Sequence, residues 1–180
     1  MLAGVIIGIG LSLIWLVGVA THPQMPSLGR ERGTQVFREA AEHPGDEVIP
    51  GVAVIRFGGG LFFATPDALE DRLRATIHST SGLTGIVLDC GGINFVDAQG
   101  AAMMADIADL SREAGVTLRL ARLKPSVRAI LARDGVIERI GVERIHGNIC
   151  RAVEAEEAAA NKARDEQQGS QSDCKFTRRE

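Results

Sequence analysis

The sequence is poor in the residues that catalysis and metal binding require. It holds 3 cysteines, Cys90, Cys150 and Cys174. Their wide spacing excludes a CxxC metal or redox motif, and their odd number argues against a disulfide framework. They read as reduced thiols of a cytoplasmic domain. The 4 histidines, His22, His43, His78 and His146, are scattered without an HExxH or similar spacing, so no metal site is expected. The net charge is -3, and no basic surface is marked out, so nucleic acid is not an expected partner. A glycine run, Gly58 to Gly60, is present. No helix opens immediately after it and no Lys-Ser/Thr follows, which excludes a P-loop. No set of His, Ser and paired carboxylates stands together anywhere in the chain, so no enzyme activity and no cofactor are expected.

What the sequence does contain begins with a long uncharged run. Residues 1–20, "MLAGVIIGIGLSLIWLVGVA", carry no charged side chain, and Ser12 is their sole polar one. A helix of about 20 residues spans roughly 30 Å, the hydrocarbon thickness of a bilayer. Lipid tolerates the glycines in the run because the helix satisfies its own backbone. Gly4, Gly8 and Ser12 recur every four residues, a stripe suited to packing on another membrane helix. A signal peptide ending near "VGVA" is the competing reading, but no basic segment precedes the run. A buried core helix is the other, and such helices rarely remain uncharged for so long. Arg30, Arg32 and Arg38 follow the run and favour a cytoplasmic position for everything downstream. The expected location is the cell inner membrane, with the membrane itself as a partner.

Four segments follow from the pattern: a transmembrane helix at 1–20, a turn-rich juxtamembrane linker at 21–46, an α/β core at 47–157, and a helical extension with a disordered tail at 158–180. In the core, "VAVIRF" reads as a strand, the three glycines as a turn, and "LFFA" as the strand returning beside it, a hairpin. "TPDALEDRLRATIHS" reads as a helix with Thr65 as N-cap and Pro66 at N1. Leu69, Leu73 and Ile77 form its buried stripe, and Glu70 pairs with Arg74. "GIVLDC" reads as a central strand covered on both faces. A helix with Met103, Met104, Ile107 and Leu110 inward follows and ends at Gly115, and then comes the strand "VTLRL". Pro125 opens a further helix that stops at Gly135, "VERIH" reads as a short edge strand, and Asn148 caps the last helix. Strands alternating with helices predict an α/β fold. Its sheet is mixed and mostly parallel, of about four or five strands, opened by the one antiparallel pair.

The stretch "LDCGGINFVDAQG", residues 88–100, is the candidate functional junction. Asp97 stands where a strand-loop meets a helix, on the edge of an α/β sheet where ligands bind. Its side chain suits an N-cap. The N–H groups of Ala98, Gln99 and Gly100 face an anion in principle, but Asp97 repels one and no Arg or Lys is adjacent. Cys90, Asn94 and Gln99 supply no catalytic partner.

Three stretches together, "VAVIRFGGGLFFATPDALEDRLR", "GIVLDCGGINFVDAQGAAMM" and "GVTLRLARLKPSVRAILARDGV", resemble a STAS domain. That family is named for sulfate transporters and anti-sigma-factor antagonists. The hydrophobic run leading into "LGRERGTQVFREAAEHP" is similar to the last membrane helix and linker of a bacterial SulP-type anion permease. The resemblance implies a cytoplasmic regulatory or scaffold module of a sulfate or related anion transporter. Its partners would be the remaining transmembrane spans and a protein at the loop of Asn94, Asp97, Ala98, Gln99 and Gly100, where the partner or a nucleotide makes contact. One helix encloses no substrate path, so this chain is not expected to transport by itself. The alternative is an anti-sigma-factor antagonist-like signalling module binding a partner kinase. In those antagonists a serine precedes the glycine and is phosphorylated. Here Gln99 occupies the acceptor position, so no phosphorylation is expected.

Overall fold

The computed structural model describes residues 2–20, 23–62 and 66–176, with side chains at all of these except 2, 16, 17, 19, 20, 66, 67 and 167–176. The expected N-cap Thr65 and the segment Phe63–Ala64 lie outside the described residues.

The first element is α1, Leu2–Ala20. Its described apolar side chains face outward all round: Ile6, Leu11, Ile14 and Trp15 are each more than half exposed. Ser12 hides its hydroxyl by donating to the Gly8 carbonyl at 2.8 Å. Among the residues whose side chains are described, which in α1 are 3–15 and 18, no helix is long and apolar enough to cross a membrane.

Residues 23–46, the described part of the stretch 21–46 that reads as a linker, are built against the core. They carry β1, Leu28–Arg30, paired antiparallel with β2, Phe37–Glu39. The stretch before β1 runs antiparallel to β3, Val52–Arg56, through bridges Ser27 to Ile55 and Gln24 to Gly58. The main sheet then adds β4, Gly85–Asp89, β5, Thr117–Ala121, and the two-residue β6, Ile145–His146. Its order is β3-β4-β5-β6, and every pairing is parallel. Antiparallel bridges at the β3 edge make it mixed.

The expected hairpin is corrected here. Both edges of β3 are occupied, by β4 on one side and by residues 24–27 on the other. The chain after the three glycines has no edge to return along. Instead Leu61 forms a parallel bridge with Val96, and its side chain is fully buried.

Between the strands lie α2, Pro66–Ser79, α3, Ala98–Glu113, α4, Pro125–Arg133, and α5, Val136–Ile140. Their apolar stripes meet one face of the sheet. Leu69, Leu73, Met104, Ile107 and Leu131 pack there against Ile55, Ile86, Leu88, Leu118 and Leu120. Glu70 and Arg74 form the anticipated ion pair at 2.6 Å. Gly115 and Gly135 end α3 and α4 in the left-handed region, at φ 69 and 73, which L side chains rarely adopt. The opposite face carries Val52, Val54, Val87 and Ala121. It is covered by Leu28 and Phe37 of the β1–β2 pair and by Ile149, Ala152 and Val153 of α6, Ile149–Phe176. All five residues of β4 are buried, as its uninterrupted apolar run requires.

Asn148 caps α6 by accepting from the Arg151 N–H at 2.8 Å. Further along, Arg119 of β5 donates to the buried carboxylate of Glu156 at 2.8 Å and to the Ala155 carbonyl at 3.2 Å. Beyond that ion pair the helix continues through Gly169 to Phe176, where the sequence reads as a tail. The stretch 154–168 before it, rich in Ala, Glu and Gln, favours helix without needing a buried face.

Candidate functional site at the carboxyl edge of the sheet

Parallel strands bring Arg56, Asp89 and Ala121 to one edge, as register neighbours. The loop after β4 is laid over this edge. Cys90 turns inward and is fully buried, and burial followed by the Asp89 charge pushes its thiol pKa well up, so it is no nucleophile. Gly92 is pressed onto β3: a Cβ there would lie 2.5 Å from the Phe57 carbonyl oxygen. Ile93 and Val96 point into the core. Asn94 and Phe95 are left outside, as are Ala98 and Gln99. Phe95 is 58% exposed.

Asp97 caps α3. It is extended (φ -100, ψ -179), and its Oδ1 accepts from the Gly100 N–H at 2.7 Å. Gly100 has no room for a side chain, since a Cβ would come within 2.3 Å of the Leu61 carbonyl oxygen. The Leu61 N–H donates to Phe95 and the Asp97 N–H to Leu61, at 2.9 and 3.0 Å. The five site residues named from the sequence thus fall together on one rigid turn, with Asn94, Ala98 and Gln99 exposed and Gly100 buried. Lys124 Nζ, at the start of α4, donates to the side-chain Oδ1 of Asn94.

A second feature of this edge is one that pattern reading missed. Asp89 is entirely buried and accepts from Arg122 Nε and Nη2 at 2.7 and 2.5 Å. Arg56 Nε donates to it at 2.9 Å and the Gly91 N–H at 3.1 Å. Burial alone would raise the Asp89 pKa. The hydrogen bonds from Arg122, Arg56 and Gly91 outweigh it and hold the carboxyl below its ordinary range. Arg122 reaches this position from a left-handed backbone, φ 57, uncommon for a non-glycine residue. The signal in the sequence was a carboxylate closing an apolar strand, which a buried position tolerates only with cationic partners.

The edge offers recognition surface and structural ion pairing. Its exposed groups are the Asn94 and Gln99 amides, the Phe95 ring and part of Arg122, with Lys124 half-buried beside them, Asp97 committed to a cap and Asp89 to two arginines. Among the described residues no group of three His, Cys, Asp or Glu side chains is placed to hold a metal ion.

A family model for the STAS domain matches residues 43–155. The chain belongs to the STAS-domain family. The fold is shared with the STAS domain of a SulP transporter from Vibrio cholerae, with a TM-score of 0.53 at 15% identity, covering 68% of this chain and 93% of that chain. The chain is similar to the probable sulfate transporter 4.2 of Arabidopsis thaliana, 27% identical over 150 residues, covering 78% of this chain and 22% of that protein. It is likewise 27% identical to the human sulfate anion transporter 1 over 176 residues, covering 75% of this chain and 25% of that one. The murine Slc26a9 anion transporter in its inward-facing state shares the fold with a TM-score of 0.76 at 21% identity, covering 87% of this chain and 26% of that chain. This STAS chain spans about a quarter of the length of the curated relatives it matches.

Proposed function

We propose that this chain is the cytoplasmic STAS module of a SulP-type sulfate or related anion transporter, together with the last membrane helix that carries it. The observation that carries the reading is the joint similarity. The two sulfate transporters match 75–78% of the chain, more than residues 43–155 alone comprise, so the likeness extends past the STAS domain. The second support is α1. A helix uncharged throughout, with its apolar side chains exposed on every face, requires an apolar surrounding that the rest of the chain does not supply. A bilayer is such a surrounding, and the arginines that follow favour the cytoplasmic side for the domain.

In this reading the domain regulates or organises the transporter, and the loop of Asn94, Asp97, Ala98, Gln99 and Gly100 is its protein-contact edge. The ion path belongs to other spans of the transporter. The antagonist-like alternative is disfavoured by Gln99, which is exposed at the acceptor position but carries no hydroxyl.

The test is carbonate extraction of the expressed chain combined with a cytoplasm-dependent reporter fused after Glu180. The expected result is retention in the membrane with an active reporter. Release into the soluble fraction, or an exported reporter, contradicts the topology.

A further inference from the structure

We propose that Phe95, which is not among the protein-contact residues of this loop, contacts lipid, with its ring seated at the headgroup–acyl boundary of an anionic bilayer surface. This inference rests on the reading of α1 as a membrane helix.

The exposure of Phe95 is imposed by the backbone. Ile93 and Val96 occupy the inward positions, at 1% and 2% exposure. Gly92 is wedged against Phe57 with no space to shift inward. The carbonyl of Phe95 is pinned by the Leu61 N–H at 2.9 Å, and two residues on the Asp97 N–H is pinned back to Leu61 at 3.0 Å. With both flanks fixed, the ring has nowhere to turn in. Phe37 and Phe57 are buried, and Phe95 is the exposed phenylalanine among the described residues.

The same edge is tethered close to α1. The Gly58 N–H donates to the Gln24 carbonyl at 3.0 Å, and a Cβ on Gly59 would lie 3.5 Å from the Pro23 side chain. Pro23 follows Ala20, the last residue of α1, by three positions. Three residues span at most about 10–11 Å even when fully extended. The headgroup layer on each side of the hydrocarbon is roughly 5–8 Å thick. Wherever α1 leaves the hydrocarbon, the glycine turn and the Phe95 loop beside it are therefore held in or just outside the headgroup layer, within reach of its inner boundary.

The charge of the edge suits that position. Lys124 reaches over to Asn94, next to Phe95, and Arg128 is exposed one turn further along α4. Arg122 remains 43% exposed beside the loop. The neighbouring carboxylates are committed, Asp97 to the Gly100 N–H and Asp89 to its arginines. An apolar ring flanked by cations is the combination that binds an anionic membrane surface.

The experiment uses the full chain in vesicles of mixed phosphatidylcholine and phosphatidylglycerol with acyl chains brominated near the glycerol end. Trp15 is the single tryptophan of the wild type, and its quenching reports insertion of α1. In a Trp15→Phe background, Phe95→Trp places the probe on the loop. Val142→Trp places it on an exposed residue at the far edge of the sheet, before β6. The expected result is a blue-shifted emission quenched by bromine for position 95 and no quenching for position 142. Quenching of Trp15 without quenching at position 95 overturns the inference and leaves the membrane reading intact. A blue shift at 95 without bromine quenching overturns it as well, since a protein surface would then cover the ring. Equal quenching at 95 and 142 overturns it too, by removing the orientation. Loss of quenching at all three positions defeats both the inference and the reading beneath it.

Discussion

Replacing Asp89 with asparagine tests the energetic argument most severely. The side chain is 0% exposed, while Arg56 and Arg122 are 32% and 43% exposed. An asparagine keeps the shape but presents an amide NH2 where a guanidinium donates, so one donor faces another at a fully buried position. Removing one member of a buried pair costs about 3–5 kcal/mol. The lower end, about 3 kcal/mol, is expected because both arginines keep a route to solvent. A small domain with roughly 5–15 kcal/mol in hand stays folded. The assay is urea unfolding of residues 23–176 with and without Asp89→Asn. The wild type should also carry an acid limb that the variant lacks. The Asp89 pKa is lowered in the fold. Its contribution is therefore complete above the unfolded carboxyl pKa of about 3.9 and is lost as pH falls through the lower folded value. The two proteins should begin to converge as pH falls below about 4 and meet only below the lowered folded pKa. A variant within about 1 kcal/mol of wild type at neutral pH, with the same acid limb, would refute the claim that the ion cluster holds this edge.

Two further substitutions probe the loop and the core. Asp97→Ala should lower stability by about 0.5–2 kcal/mol through loss of the cap on α3, while Gln99→Ser should melt like wild type because position 99 is exposed; equal melting of all three proteins would remove the capping role. Leu88→Asp puts a charge at a fully buried position of β4 with no cation facing it and should abolish cooperative unfolding by circular dichroism.

Much of this architecture was legible in periodicity. Leu69 and Leu73, the Met103–Met104 pair, and the all-apolar β4 each sit where helix or strand spacing places them. The caps and stops at Asp97, Asn148, Gly115, Pro125 and Gly135 could be read because each answers a local backbone need. The hairpin misreading shows where local reading ends. Three glycines between apolar runs satisfy a hairpin turn equally well, and only the tertiary competition for the β3 edge decides against it. Residues 24–27 win that edge although their proline and serine read as linker, since an edge strand needs backbone groups more than side-chain pattern. The contact loop was found from Asp97 and its glycine. The Asp89 cluster was not, because its arginines come from β3 and from the residue after β5, at a separation of 33 residues in each case. Arg56, interrupting the apolar run "VAVIRF", was the available hint.

The central claim is that this STAS chain works as part of an anion transporter about four times its length. The direct measurement is an immunoblot of fractionated native cells with an antibody raised against residues 23–176. The account predicts a single species in the membrane fraction at about four times the 19.2 kDa of this chain. A soluble species near 19.2 kDa, absent from the membrane fraction, would contradict it.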